Sequence, residues 1–387
     1  MNSYIIYSSI ISLFSEALAL HTFIDLKIFY LIIFINFSLI LSFKQFCLHK
    51  WHFWGMFFVF SASGTIAIVS SVSITTNYLM QVVGISIVSI YYYVFFRRMG
   101  MSSLEMFQKY CGVAYIVAII GLVIFLYNLL ILGEFIRIES IMDEPAHLSA
   151  LILPAWYYSM TMGPLKSKKF VVFSLVLILS GSSVGFLGVM LGVVLASNFN
   201  LIRVVLLGFL GSILLFLAYN FDDNFKLRVD DSISVVSTLS MSGANLSTYA
   251  LFSNAYVAYY SFIDNPFFGG GLGSHKASRD KYLDNIDGIE TFEQYFSLNE
   301  KDANSLFLRI VSELGVMGLI IVFGFIIRFG SSLKGEDRVV SRGILLYFFT
   351  KLLREGHYFT PEMYFFIMCY YFVNKQSNRN KLKKMNI

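Results

Sequence analysis

The sequence predicts an all-α polytopic membrane protein. Hydrophobic residues make up 57% of the chain and charged residues only 14%, whereas soluble domains carry about 25% charged residues. Apolar runs long enough to cross the ~30 Å hydrocarbon core of a bilayer recur, as in CGVAYIVAIIGLVIFLYNLLIL at 111–132. One long polar segment, 221–304, interrupts them. Together these features predict about twelve transmembrane helices and one large loop domain outside the membrane.

Apolar runs bounded by charged residues set the predicted spans in order along the chain. The first, 4–20, has no basic residue before it and no small-residue cleavage site after it, so we interpret it as a retained helix and not as a signal peptide. The predicted spans are 4–20, 28–43, 53–72, 78–96, 111–132, 148–163, 170–181, 184–198, 204–220, 305–329, 341–353 and 361–373.

Basic residues orient this arrangement. The tail NKQSNRNKLKKMNI is strongly basic, and an even number of spans puts both termini on its side, which the positive-inside rule makes cytoplasmic. The loops that contain Lys44, Arg97, Lys166 and Arg338 fall on the same side. The predicted domains are therefore nine helices in 1–220, a periplasmic loop domain in 221–304, and three helices with the basic tail in 305–387.

Two predicted helix pairs are short for a membrane. Spans of 12 to 15 residues around SGSSVG and LLREGHYF rise only ~18–22 Å at ~1.5 Å per residue. Their turns would then lie below the outer membrane surface, where irregular backbone is tolerated only beside protein or a water-filled cavity. We expect a polar cavity that opens outward.

Several classes of chemistry have no support in the sequence. The three cysteines, Cys47, Cys111 and Cys369, lie in or beside separate predicted spans without CxxC spacing, which argues against a disulfide framework or a metal site. The net charge of +5 comes from loops that obey the positive-inside rule and not from a basic stripe on a folded domain. We expect no metal, no cofactor and no nucleic-acid partner.

The stretch NPFFGGGLGSHKASRDKY at 265–282 is unusually polar and glycine-rich. Its GGGLG lacks both the strand and helix context of a dinucleotide fingerprint and the GK[ST] ending of a P-loop. A glycine-rich turn can bring backbone N–H groups close to an anion, and His275, Lys276 and Arg279 follow directly. We predict an anion-binding turn; the alternative is a surface loop without a ligand.

Two further polar groups lie on the same predicted side. Glu144 comes just before a helix that starts near residue 148, where it either favours the helix dipole or acts as a base at the cavity rim. Arg354, His357 and Tyr358 belong to KLLREGHYF. Ionisable residues within the membrane are functional candidates, and an arginine fork suits phosphate oxygens. We expect these groups to converge with Arg279 and His275 on one ligand.

The start of the tenth span, DANSLFLRIVSELGVMGLI, holds three more candidates. Arg309 and Glu313 are four residues apart, so a structural ion pair inside the bundle is predicted. Asn304 is interpreted as an N-cap, a ligand contact or both.

Four patterns in this order resemble the bacterial O-antigen polymerases, the Wzy-type integral membrane glycosyltransferases that are related to the O-antigen ligases. They are DEPAHLSALILP, LILSGSSVGFLGVMLG, NPFFGGGLGSHKASR and NSLFLRIVSELGVMGL, followed by KLLREGHYF. The patterns cover most of the second half of the chain. The first 110 residues contribute only hydrophobicity.

The resemblance implies a GT-C-like bundle in the bacterial inner membrane that polymerises repeat units of a surface polysaccharide at the periplasmic face, without metal or nucleotide sugar. Donor and acceptor would both be glycans on undecaprenyl pyrophosphate, and a chain-length regulator is an open partner. In that reading, Arg279, Arg354 and Lys276 contact the pyrophosphate, with Asn304 and Tyr358 also in the substrate site. The general base is one of His275, His357 and Glu144.

Two departures argue against the ligase alternative. Where ligases tend to have an arginine in the SGSSVG region, this chain has Ser183 and Val184, and where they have a histidine before the asparagine it has Ala303. A flippase or other transporter of lipid-linked oligosaccharides is the second alternative, although the sequence shows no internal repeat of the kind that transporters contain. A non-catalytic membrane scaffold would leave the cluster at 351–358 unexplained.

Overall fold

A computed structural model of the chain describes residues 2–21, 25–43, 50–69, 76–163, 167–197, parts of 205–220, 223–330 and 333–385. Within these ranges the chain is almost entirely helical. The helices are α1 Asn2–Ile11, α2 Ile28–Phe43, α3 Lys50–Val69, α4 Thr76–Arg98, α5 Ser103–Tyr127, α6 Pro145–Met162, α7 Lys168–Leu179, α8 Ser183–Ala196, α9 Asp223–Thr238, α10 Leu246–Asp264, α11 His275–Tyr282, α12 Leu306–Gly330, α13 Gly335–Leu353 and α14 Pro361–Met385.

The predicted membrane character is reflected in the helices. Three stretches in the described ranges are long and apolar enough to cross a bilayer: Asn77–Arg98, Ser103–Leu132 and Leu306–Gly330. The second is α5 extended by a π-helical turn, Asn128–Leu132. The count of twelve spans stays a prediction, and the predicted span at 204–220 lies mostly outside the described residues.

The first predicted span, 4–20, is wrong in its extent. Helix α1 ends at Ile11 and is followed by a 3₁₀ turn, Ser12–Phe14. A short antiparallel hairpin then pairs Ala19–His21 with Asp25–Lys27. Serine hydroxyls that bond to nearby carbonyls compete with the helix ladder, and Ser15 Oγ donates to the Ser12 carbonyl over 3.0 Å at this point.

Other predicted boundaries agree more closely with the structure. Helix α2 has the predicted limits of 28 and 43. Helix α14 begins at Pro361 as predicted but continues to Met385, well beyond the predicted end at 373. The extra turns are polar, so hydrophobicity alone did not indicate that the helix continues.

Successive helices run between two ends of the bundle. At one end, Ser305 Oγ donates to the Leu352 carbonyl over 2.7 Å and joins the start of α12 to the last turn of α13. At the other end, Gln108 Nε2 donates to Tyr158 Oη and to Glu336 Oε1, each over 3.0 Å, and joins α5, α6 and α13. We call the end at Ser305 and Leu352 the turn end. We call the end at Gln108, Tyr158 and Glu336 the basic end.

Helices α6 and α13 pack closely and antiparallel at the centre of the bundle. Gly343 permits this approach, because a Cβ there would lie 3.0 Å from the carbonyl oxygen of Pro154. Ile152, Leu153, Ile344 and Tyr347 are almost fully buried around this contact. The antiparallel arrangement brings the start of α6 beside the end of α13 at the turn end.

Helix α12 is broken at Gly315, and the glycine-rich stretch fills the break. Gly315 has φ 57° and ψ −150°, which separates the helix into an outer turn and an apolar inner part. The amides of Val316 and Met317 donate to the carbonyls of Pro266 and Phe267 over 2.9 and 3.0 Å. The amides of Gly270 and Gly271 donate to the carbonyls of Ser312 and Glu313, each over 2.9 Å.

These four bonds satisfy the groups that a continuous helix would have paired with each other. Unsatisfied backbone groups are costly in an apolar environment, so the loop compensates for the break. The contact also explains the glycines: Gly269 has φ 66°, and a Cβ there would overlap the backbone of Glu313. The backbone N–H groups of Gly270 and Gly271 therefore bond to α12 and not to the anion that the sequence predicted for this stretch.

The segment 223–304 contains its own small core. Helices α9 to α11 and two 3₁₀ turns, Leu283–Asn285 and Ile289–Tyr295, lie within it. Tyr249 stacks on Phe292 with ring centroids 4.4 Å apart. The other buried members of this core are Val235, Met241, Leu283, Ile286 and Ile289.

Candidate functional site

The predicted site residues separate into two groups at the turn end. The first, which we call the buried network, joins α10, α11 and the outer turn of α12 and consists of Asn254, His275, Arg279, Arg309, Ser312 and Glu313. The second, the turn cluster, is built on the turn 354–360 and consists of Glu144, Asp302, Arg354 and His357.

His275 lies at the centre of the buried network. Its side chain is fully buried, Nδ1 lies 2.9 Å from Ser312 Oγ, and Nε2 lies 3.0 Å from Asn254 Oδ1. Burial and the positive charges of Arg309 and Arg279 lower the pKa of His275 to about 3. The imidazole is therefore neutral near pH 7, and both ring nitrogens already have protein partners.

Arg279 is also fully engaged by protein atoms. Its guanidinium donates to Asn254 Oδ1 over 2.8 Å, to Tyr249 Oη over 2.9 Å and to the Phe296 carbonyl over 3.1 Å. A further bond reaches Ser253 Oγ over 3.3 Å. Because these groups belong to α10 and to the 3₁₀ region that follows α11, Arg279 holds the loop domain together.

Three more residues predicted to bind substrate, Lys276, Tyr358 and Asn304, are also occupied or buried. Lys276 Nζ forms an ion pair with Glu300 over 2.9 Å. Tyr358 is buried, and the Arg309 guanidinium lies 4.4 Å from the centre of its ring. Asn304 is buried too, and the N-cap expected there is instead Ser305, whose Oγ accepts from the amide of Leu308 over 3.3 Å.

The predicted ion pair between Arg309 and Glu313 is present and connects the two groups. Arg309 Nε lies 3.0 Å from Glu313 Oε1, and both side chains are buried. The same guanidinium donates from an Nη atom to the carbonyl of Gly356 over 2.8 Å. The buried network therefore holds the backbone of the turn 354–360.

The turn is fixed by strained backbone as well. Ala303, Asn304 and Glu355 have φ values of 58°, 56° and 69°, which non-glycine residues rarely adopt. The Glu355 amide donates to the Asn304 carbonyl over 3.1 Å, and a Cβ at Gly356 would overlap the carbonyl oxygen of Asp302. Such strain persists only where the surrounding structure enforces it, and it is frequent at functional sites.

His357 projects from this turn and pairs with Asp302. Its Nε2 lies 3.3 Å from Asp302 Oδ2, and the histidine side chain is 48% exposed. Burial favours the neutral form of Asp302, but the His357 charge and the hydrogen bonds from the amide of Asn304 and from Asn299 prevail and lower its pKa. An ionised carboxylate thus orients an accessible imidazole, an arrangement that suits proton transfer.

Arg354 lies three residues earlier and contacts Glu144. Its Nη2 atom lies 3.4 Å from Glu144 Oε2, and the two side chains are 36% and 47% exposed. Glu144 is the N-cap residue of α6 but makes no capping hydrogen bond with its side chain. Among the described residues this single contact is the one polar bond of the Arg354 side chain, so most of its five N–H donors stay available.

A chain of charged groups lies beside the turn cluster and ends at Asp143, next to Glu144 in the sequence. Glu16 Oε2 lies 2.6 Å from His147 Nδ1, and Lys27 Nζ lies 3.3 Å from Glu16 Oε1. Burial raises the pKa of Glu16, but the hydrogen bond and charge of His147 and the charge of Lys27 outweigh it and lower the pKa to about 2. Lys27 also reaches Asp143 over 3.0 Å, beside Glu144.

Lys351 forms the floor of the same region. It is almost fully buried, forms an ion pair with Glu355 and donates to Thr360 Oγ1 over 3.1 Å. Glu362 lies 3.6 Å away. With two carboxylates and a hydroxyl around its ammonium group, Lys351 is positioned to stabilise the turn and not to contact a ligand.

The structure thus pairs Arg354 with Glu144 and His357 with Asp302 around one turn, and it puts His275 and Arg279 in a separate, buried arrangement. Sequence reasoning did not select Asp302, Glu16 or Lys27. Glu16 carried a usable signal, because it is an ionisable residue inside a predicted span. In the described ranges, no group of three or more His, Cys, Asp or Glu side chains is placed to hold a metal ion.

The arrangement can bind an anion and accept a proton within a few residues of one another. Arg354 offers parallel N–H donors to phosphate oxygens, and His357 offers an imidazole oriented by Asp302. Comparison with known protein families found no match, and a search of curated proteins also returned none.

Proposed function

We propose that this protein polymerises lipid-linked oligosaccharide repeat units, carried on undecaprenyl pyrophosphate, into O-antigen or a similar surface polysaccharide. One observation supports the proposal. A single turn carries both an arginine with unused N–H donors and an accessible histidine that a carboxylate orients. Arg354 and His357 lie at the end of an apolar bundle, where a polyprenyl chain would be buried and its pyrophosphate would remain near water. Localisation in a bacterial inner membrane, with this end facing the periplasm, is part of the proposal.

The chemical step assigns one role to each group. The acceptor hydroxyl attacks the anomeric carbon of the donor glycan, and the bond from that carbon to the pyrophosphate oxygen breaks. The electron pair leaves with undecaprenyl pyrophosphate, and Arg354 stabilises the charge that develops there. His357 takes the proton from the hydroxyl as the new glycosidic bond forms.

Glu144 and Asp302 act as positioning residues in this scheme. Glu144 holds one edge of the Arg354 guanidinium over 3.4 Å and leaves the other edge open. Asp302 holds His357 Nε2 over 3.3 Å, so Nδ1 is the nitrogen that faces the acceptor. Glu144 remains the alternative base, and replacing each residue separately distinguishes the two assignments.

His275 and Arg279 have no direct part in this reaction. A base must reach the proton that it removes, and His275 is fully buried with both nitrogens bonded to protein. The buried network instead supports the reaction by holding Gly356, and through it the turn that presents Arg354 and His357.

Reconstitution tests the proposal directly. Purified protein in liposomes that contain lipid-linked repeat units should produce a ladder of longer lipid-linked glycans, with one undecaprenyl pyrophosphate released per bond formed. Movement of single units across the liposome membrane without chain growth would instead show a flippase. Transfer of a finished chain to lipid A core, without ladder formation, would show a ligase.

The host strain provides a second measurement. Deletion of the gene should reduce the surface polysaccharide ladder to core plus one repeat unit. An unchanged ladder would contradict the proposal.

A further inference from the structure

A long groove follows one face of α5. Its volume is about 820 Å³, within the ~300–1,000 Å³ that is usual for small-molecule sites. Helix α1 contributes Tyr7 and Ile11 to one wall. Helix α5 supplies the floor, and its lining residues recur every three or four positions: Glu105, Gln108, Lys109, Gly112, Val113, Ile116, Val117 and Ile120.

The groove is longer than the hydrocarbon layer of one leaflet is thick. From Glu105 to Ile120 the axis of α5 rises ~22 Å at ~1.5 Å per residue. One leaflet contributes ~15 Å, half of the ~30 Å hydrocarbon core. Beyond Lys109 the floor of the groove is apolar, and α5 belongs to one of the three stretches that are long and apolar enough to span a membrane.

The basic end of the groove carries two opposite charges that do not pair with each other. Glu105 and Lys109 are four residues apart, a spacing that favours an ion pair. Glu105 instead accepts from the amide of Ser102 over 3.2 Å as part of a capping box. Lys109 Nζ donates to Tyr7 Oη over 3.1 Å and lies 4.8 Å from the centre of that ring.

Both charges therefore keep bonding capacity at the mouth of the groove. One Glu105 carboxylate oxygen and two Lys109 protons remain open, and neither residue forms an ion pair within the described part of the chain. A negative and a positive group about one helical turn apart match the ammonium and phosphate of a zwitterionic headgroup.

We propose that this groove binds a phosphatidylethanolamine-type phospholipid from the leaflet at the basic end. One acyl chain lies along α5 from Gly112 to Ile120, Lys109 contacts the phosphate, and Glu105 contacts the ammonium group. The groove is lined mainly by α1 and α5, with Met101 and Ile141 at its margins, and the proposal is independent of the glycan-polymerising activity.

Gly112 provides the sharpest test. It lies in the floor of the groove, and a Cβ there would meet no atom within 4 Å. Gly112→Leu should fill the groove without disturbing the protein, because leucine also favours a helix more than glycine does. Gly324, in α12, also has open space around it and does not line the groove, so Gly324→Leu is the matched control.

The measurement is native mass spectrometry of protein purified from vesicles that contain equal amounts of phosphatidylethanolamine and phosphatidylglycerol. Wild type and Gly324→Leu should retain phosphatidylethanolamine. Gly112→Leu should retain at least tenfold less of this lipid than wild type, with an unchanged or higher melting temperature. Lys109→Gln and Ile116→Trp should lower retention from the headgroup and the chain side respectively. Equal retention by Gly112→Leu and wild type, or equal retention of the two lipids by wild type, would overturn the proposal.

Discussion

Arg279 and Arg354 were both predicted to bind the same pyrophosphate, and the structure gives them opposite surroundings. Arg279 donates to four side-chain and backbone oxygens and is buried, whereas Arg354 makes one 3.4 Å contact and is 36% exposed. The two histidines differ in the same way. His275 has a protein partner on each ring nitrogen, and His357 is fixed on one side only.

The two arginines and the two histidines thus differ in unused bonding capacity and not in residue type. Polar side chains whose donors and acceptors bond to protein atoms make a fold specific and rigid. An arginine or histidine with unpaired donors or acceptors can still form hydrogen bonds with a ligand.

The largest expected effect is on turnover in His357→Gln. Removing a general base lowers the rate by about 10²–10⁴-fold, and because the side chain is half exposed the melting temperature should change little. The measurement is the initial rate of ladder formation in liposomes as a function of pH. Rates within threefold of wild type at every pH would remove His357 from the mechanism and favour Glu144.

Arg309→Met should lower the stability of the protein strongly, although Arg309 has no direct chemical role. The change leaves Glu313 buried and unpaired, which costs about 3–5 kcal/mol of the free energy of unfolding. Chemical unfolding in detergent measures it. The double variant Arg309→Met with Glu313→Met should recover much of the loss; no recovery would mean that the bond from Arg309 to Gly356 matters more than the ion pair.

Replacing Arg354 should affect rate more than stability. Arg354→Gln is expected to slow ladder formation by about 10²–10³-fold, the usual cost of removing one donor that stabilises transition-state charge. Arg354→Lys keeps the charge, loses the fork and should recover only part of the rate. Lys301→Gln, on the exposed surface of the loop domain, is the matched control. Full-length glycan from both Arg354 variants would contradict the assignment.

The smallest effect concerns pH and His275. The pKa of His275 falls from 6.5 to about 3 in the folded protein. Between these two pH values the unfolded chain binds a proton at His275 and the folded chain does not. Stability should therefore fall as pH drops below 6.5, by about 2 kcal/mol at pH 5 from this group. The charged groups that face it are Arg279, Arg309, Asp302 and Glu313.

Melting curves of wild type and His275→Gln between pH 7 and pH 5 measure this contribution. The wild-type curve should shift further with pH than that of the variant, whose glutamine does not titrate in this range. Equal shifts would show that other groups control the acid sensitivity.

The sequence predicted most of the helices because long apolar runs have few alternatives to a helix in a membrane. It also predicted the Arg309–Glu313 pair, whose spacing on one helix is local information. It did not predict the break at Gly315, because the four backbone bonds that compensate for it come from residues about 50 positions earlier in the chain.

The candidate site was predictable only in part for the same reason. Arg354 and His357 are close in sequence, and their turn was identified from its charges. Asp302 and Glu144 reach that turn from distant parts of the chain, through the packing of α12 and α6 against the end of α13. Burial of His275 and Arg279 depends on the core of the loop domain, which hydrophobicity patterns in a polar segment indicate weakly.

The break in α12 has a consequence for the order of assembly. The loop that pairs with α12 in these four hydrogen bonds comes earlier in the chain, so it is synthesised before α12. Until the two meet, each has unpaired backbone groups, and those of α12 lie near lipid, where they cost several kcal/mol. Insertion of α12 and ordering of the loop domain should therefore occur as one cooperative folding step, and a chain truncated before Leu306 should leave the segment 265–273 open to protease.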